Sequence, residues 1–165
     1  MMRRRFLALA LLSLGGCGLR PLYAGGGSGA VAATLGAVTV APIAGQQGWL
    51  VRNKLVERLG DGAGPAPAYR LDVTLDDNIT TFGVRSNQAA TQERRTLRAR
   101  YQLVNLRNGM VVLDATAGSD ATLDIVSSEY ATVAAEQTAL ENLSNTLADQ
   151  ITARVALFAS RTTAK

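Results

Sequence analysis

Arg94 to Ala117 reads RRTLRARYQLVNLRNGMVVLDATA, and its alternation decides what kind of fold the chain adopts. Leu97, Ala99, Tyr101 and Leu103 recur at every second position with polar side chains between them. Successive strand residues point to opposite faces, so this pattern describes a strand with one buried and one wet face. The phase breaks at Val104, which a bulge or a fully buried strand end explains. Asn108-Gly109 follows, a dipeptide suited to φ above zero at both central positions of a tight turn, and Met110 to Ala117 returns as a second strand.

Outward from this hairpin, Tyr69, Leu71, Val73 and Leu75 alternate with Arg70, Asp72, Thr74 and Asp76, another half-buried strand. The apolar phase shifts after Asp77-Asn78, so a turn is expected there and a second edge or loop segment from Ile79 to Gln92. Ala37 to Ala41 is a short strand ended by Pro42. Trp49 to Leu59 carries Val51, Leu55 and Leu59 at intervals of four, a helix that Gly60 stops, and Gly and Pro residues from Gly60 to Pro67 separate it from the sheet. Trp49 opens this amphipathic helix and is expected to be buried or half-buried. Glu129 to Ser160 is a long helix with Val133, Leu140, Leu143, Leu147, Ile151, Val155 and Phe158 along one stripe and Ser127 or Ser128 as its cap. The expected fold is α+β: a two-layer sandwich of a roughly four-stranded antiparallel or mixed sheet packed by two helices, the C-terminal one long.

Before residue 35 the chain changes character. Met1 to Arg5 is positively charged, and Phe6 to Leu12 is an apolar run of the length an export signal uses, too short to span a bilayer. Leu14-Gly15-Gly16-Cys17 resembles the lipobox of bacterial lipoproteins, in which the cysteine thiol is alkylated with diacylglycerol and the new amino terminus acylated. Residues 1–16 are therefore expected to be a lipoprotein signal peptide. Residues 17–34 form a lipidated start and tether that includes Gly25-Gly-Gly-Ser-Gly29, and residues 35–165 form one domain. Gly18 stands where many enterobacterial lipoproteins retained in the inner membrane carry Asp, which favours outer-membrane delivery.

Composition narrows the function. With one Cys and no His among 165 residues, the chain offers no intramolecular disulfide, no ordinary zinc site and no Ser-His-Asp triad, and no cofactor is implied. The net charge of +4 is carried largely by Arg3, Arg4 and Arg5; without them 14 basic residues face 13 acidic ones, which disfavours a nucleic-acid partner. Asp76-Asp77 as paired carboxylates would suit a cell-wall hydrolase, but adjacent strand residues point apart.

Cys17-Gly18-Leu19-Arg20-Pro21-Leu22-Tyr23 resembles the mature start of alphaproteobacterial LPS-assembly lipoproteins of the LptE family. Arg52-Asn53-Lys54-Leu55 in the first helix, the Arg94 to Val104 strand and Ser128-Glu129-Tyr130-Ala131 at the last helix add to the likeness, as does the order of elements. The resemblance implies a non-enzymatic lipoprotein on the periplasmic side of the outer membrane, held there by its N-terminal lipid anchor. It would plug an LptD-like outer-membrane barrel and assist lipopolysaccharide transport. An auxiliary lipoprotein of an ABC-type lipid transporter is the alternative. From the residues themselves, Arg94, Arg98 and Arg100 share one strand face and form a candidate site for lipopolysaccharide phosphates, since guanidinium forks match paired phosphate oxygens. The competing reading is a solvated face whose arginines pair with Asp114, Asp120 or Asp124.

Overall fold

The computed structural model describes residues 29–60, 66–84, 90–126 and 128–163. Cys17, the segment expected to be a signal peptide, most of the expected tether and Ser127 lie outside these residues. In chain order the elements are α1 (Ala30–Gly36), β1 (Val38–Val40), α2 (Gly45–Leu59), β2 (Tyr69–Val84), β3 (Ala90–Asn105), β4 (Val111–Asp124) and α3 (Glu129–Thr163). One four-stranded mixed sheet runs in the order β1-β2-β3-β4, with β1 parallel to β2 and the other neighbours antiparallel. The expected α+β sandwich is present, and α1 is a short additional helix that buries Val31 and Leu35.

All three helices lie on one side of the sheet. Leu97, Ala99, Tyr101 and Leu103 of β3 are buried under them, together with Val38, Val40 and Leu71 from the neighbouring strands. Val51, Leu55 and Leu59 descend from α2, and Leu140, Leu143, Leu147, Ile151 and Val155 from α3. The helices α2 and α3 run parallel, because Gln46 bonds Gln137 at one end of their contact and Arg58 bonds Asp149 at the other. From Ala115 to Ala121 the inner side of β4 is small, with Ala115, Ala117 and Ala121 packed on the core, so α3 can approach it closely. Gly60 ends α2 in the left-handed region at φ 87° and donates its N–H to Val56 O, the stop that the glycine foretold. The Ser128 hydroxyl accepts the Ala131 N–H and caps α3.

Four expectations require correction. No turn follows Asp77-Asn78: β2 continues to Val84 and stays paired with β3 as far as Val84 opposite Ala90. The apolar phase fades because residues 78–83 are exposed, and backbone pairing alone sustains the ribbon there. The hairpin connection is wider than two residues, spanning Leu106 to Met110, with Gly109 at φ 70° and its N–H donated to Asn105 O. Trp49 is 63% exposed and Val133 57%, the first because it faces away from the sheet, the second because α3 outruns the core. The bulge expected near Val104 is present as a register shift between Leu103 and Val104.

Leu147 is fully buried at the centre of the helix-sheet interface. Leu147→Asp places a charge there without a counterion, at a cost of several kcal/mol against a total stability of about 5–15 kcal/mol. Circular dichroism should show this variant unfolded or with a sharply lowered Tm. A wild-type Tm would mean that α3 is not the lid of this core.

Candidate functional site

The face of the sheet turned away from the helices is polar and open. Alternation carries Arg94, Thr96, Arg98, Arg100 and Gln102 to this face, as the sequence pattern required. In register across the sheet, Arg98 stands between Asp76 on β2 and Gly118 on β4, Arg100 between Thr74 and Thr116, and Arg94 between Thr80 and Thr122. A shallow concavity of about 640 Å³ centres here, lined by Thr74, Asp76, Thr96, Arg98, Arg100 and Thr116 among others.

The three arginines differ in what already holds them. Arg100 grips Asp114 with two bonds, Nε to Oδ1 at 3.4 Å and the terminal nitrogen to Oδ2 at 3.1 Å, and Gln102 adds a third to the same carboxylate at 2.8 Å. Hydrogen bonding from Arg100, then from Gln102, pulls the Asp114 carboxyl below its ordinary range. Arg94 lies 4.0 Å from Asp120 and stacks over the Phe82 ring at 5.2 Å. Pairing with neighbouring-strand carboxylates thus engages two of the three. Arg98 has no hydrogen bond or ion pair among the described residues, and its stem lies across Gly118, where a Cβ would meet Arg98 Cγ at 3.3 Å. Its guanidinium is the donor left available on the face.

One charged cluster escaped the sequence reading. Asp77 and Arg95 sit on the helix side and pair at 2.6 Å with only 13% and 12% of their side chains exposed. Arg95 also donates to the backbone oxygen of Glu136 on α3 at 3.2 Å, tying the ribbon to the long helix. The signal was present: Asp77 is in phase with Leu71, Val73 and Leu75, and Arg95 with Leu97 and Ala99. Glu93, one step further on the same side, lies near Glu136 with its Oε2 buried and unpartnered. Asp76, by contrast, faces the open side opposite Arg98, so the two adjacent aspartates do separate work. Among the described residues no cluster of His, Cys, Asp and Glu could hold a metal ion.

The model of the lipopolysaccharide-assembly LptE family matches residues 35–155. A putative lipoprotein from Caulobacter crescentus superposes with a TM-score of 0.63 at 25% identity, covering 79% of this chain and 96% of that one. A minor lipoprotein from Acinetobacter baumannii gives 0.57 at 14% identity over 73% and 90% of the two chains. Rare lipoprotein B from Shewanella oneidensis gives 0.54 at 12% identity over 72% and 92%, and these last two likenesses concern the fold. No curated protein sequence matches this chain significantly.

Desolvation first, and the neighbouring Glu136 second, push the Glu93 carboxyl above its ordinary range. The folded state therefore holds this proton more tightly than the unfolded chain, so ionised Glu93 costs stability at neutral pH and nothing below a pH of about 4. Glu93→Gln should raise Tm at pH 7, with the gain vanishing as pH falls through the carboxylate range. An equal gain at both pH values would assign the effect to packing.

Proposed function

We propose, because this chain belongs to the LptE family of lipopolysaccharide-assembly proteins, that it is a lipoprotein of the outer membrane, seated on the periplasmic side in the lumen of an LptD-like barrel, where it assists lipopolysaccharide delivery. The family match over residues 35–155 carries the reading. It is supported by the shared fold of the Caulobacter lipoprotein and by the basic, then apolar, run before Cys17, which reads as an export signal. Among the described residues no helix is long and apolar enough to cross a membrane. In this reading acyl chains on Cys17 attach the protein, each buried CH₂ contributing about 0.8 kcal/mol. The segment from Cys17 to Gly29 can reach at most about 40 Å, which sets how far the domain can stand from its anchor.

Within this reading the open sheet face meets lipopolysaccharide phosphates, with Arg98 as the first contact. Arg94 and Arg100 join by exchanging Asp120 and Asp114 for the ligand. The role is one of binding and positioning, and no residue on this face is asked to move a proton or form a bond.

Three outcomes test this. Affinity purification of the tagged full chain from detergent-solubilised outer membranes should bring one large barrel protein with it; recovery without a barrel would contradict the reading. Cys17→Ser should abolish acyl mass on the intact protein, and a wild-type chain that carries no acyl mass would remove the anchor. Replacing Arg94, Arg98 and Arg100 together with Gln should leave Tm nearly unchanged and weaken lipopolysaccharide binding at least tenfold, with a shallower salt dependence. Equal affinity and salt dependence in both proteins would return these arginines to a solvated face.

A further inference from the structure

A second concave surface lies on the helical side of the molecule, away from the open sheet face. The parallel helices α2 and α3 touch at Gln46–Gln137 and again at Arg58–Asp149, and between these two bridges they part around a cleft of about 290 Å³. Trp49, Leu50, Asn53 and Lys54 line it from α2, and Glu141, Ser144 and Asn145 from α3. Helical spacing explains the gathering: positions 49, 50, 53 and 54 on one helix, and 141, 144 and 145 on the other, each fall on a single face.

Four features of the cleft exceed what packing requires. Trp49 leaves 63% of its surface in solvent although an amphipathic helix has an inner face for it. The Asn53 and Asn145 side-chain amides make no hydrogen bond among the described residues, which leaves each with two donors and an acceptor to offer. Ser144 is 1% exposed, lines the cleft, and has a hydroxyl with no partner, although a buried hydroxyl is normally bonded. Lys54 and Glu141 bring opposite charges to the same rim, so the cleft has no net charge to favour an anion or a cation.

We propose that this cleft binds a neutral pyranose ring, stacked on the Trp49 indole and hydrogen-bonded through its hydroxyls to Asn53, Asn145 and Ser144. The volume is at the small end of ligand sites and suits one ring rather than an extended ligand. A flat apolar wall beside groups that both donate and accept matches a sugar, which presents an axial C–H face and a rim of hydroxyls. A phosphate would gain little here, because Lys54 is offset by Glu141 and already lies 3.8 Å from Glu57. An apolar chain would leave both amides and the hydroxyl unpaired. The site is independent of the lipopolysaccharide reading, since it shares no residue with the arginine face.

Trp49 is the only tryptophan of the chain, so emission excited selectively at the indole, beyond the absorption of the four tyrosines, reports on this cleft alone. The full chain would be titrated with chitobiose, as a cell-wall-type sugar, and separately with the delipidated core oligosaccharide of lipopolysaccharide, each to about 20 mM, well above the Kd of a weak single-ring site. A saturable emission change with at least one saccharide is expected, and the saccharide that gives it identifies the source of the ring. The double substitution Asn53→Ala, Asn145→Ala should weaken that binding at least tenfold while preserving Tm, and Arg98→Gln should leave it unchanged. No saturable change with either saccharide would overturn the proposal. So would a change that the double variant retains in full, because the indole would then be responding without the amides. Loss of saccharide binding in Arg98→Gln would move the sugar to the sheet face, against this proposal but not against the lipopolysaccharide reading.

Discussion

β3 has hydrogen-bonded neighbours on both sides along nearly its whole length, β2 from Tyr69 to Val84 and β4 from Val111 to Asp124. Its register therefore sets both faces of the molecule at once. A slip of one residue would turn Leu97, Ala99, Tyr101 and Leu103 into solvent and drive Arg98 and Arg100 under the helices, exchanging about 2 kcal/mol of burial per large side chain for unpaired buried charge. Such a penalty leaves one register. The core under α3 and the guanidinium row on the open face are two consequences of the same alternation.

The sheet outruns the core at one end, and two devices manage the excess. Arg95 joins Asp77 on β2 to the backbone of α3, so the ribbon keeps a fixed relation to the helix where few apolar contacts remain. On β4, an edge strand, Gln150 of α3 both accepts the Gly118 N–H and donates to its carbonyl, each at 3.3 Å. That clasp occupies backbone groups a second chain would need, and Asp114, Asp120 and Asp124 charge the remainder of the edge. The open face is thus kept available to a ligand without inviting strand pairing.

The regular part of this fold was legible in the residues. Alternation around Leu97 to Leu103, the four-residue spacing of Val51, Leu55 and Leu59, and the stripe through Leu147 each follow from one apolar face, and each element lies where its pattern placed it, except that α2 begins a turn earlier, at Gly45 and not at Trp49. Legibility ended where burial ended. From Asn78 to Gly83 the strand has no core to face, so no apolar phase records it, and only pairing with β3 reveals it. Trp49 misled because hydrophobicity argues for burial while the cleft between α2 and α3 depends on two helices far apart in sequence. For the candidate site, the pattern set the arginines on one face, but which of them is free depends on Asp114 and Asp120, and that is a matter of cross-strand register.

The chain belongs to the LptE family, and its sheet is covered by helices on one side and open on the other. Its open face mixes arginines with aspartates and threonines; under the proposed function Arg98 would meet a phosphorylated amphiphile first, and Arg94 and Arg100 would release it by returning to Asp120 and Asp114. The measurement that tests this most directly is photo-crosslinking in living cells from a probe at Thr96, in the middle of the open face, compared with one at Ala153, exposed on α3. The account predicts a lipopolysaccharide adduct from position 96 and none from position 153. Adducts from position 153 alone, or from neither, would contradict it.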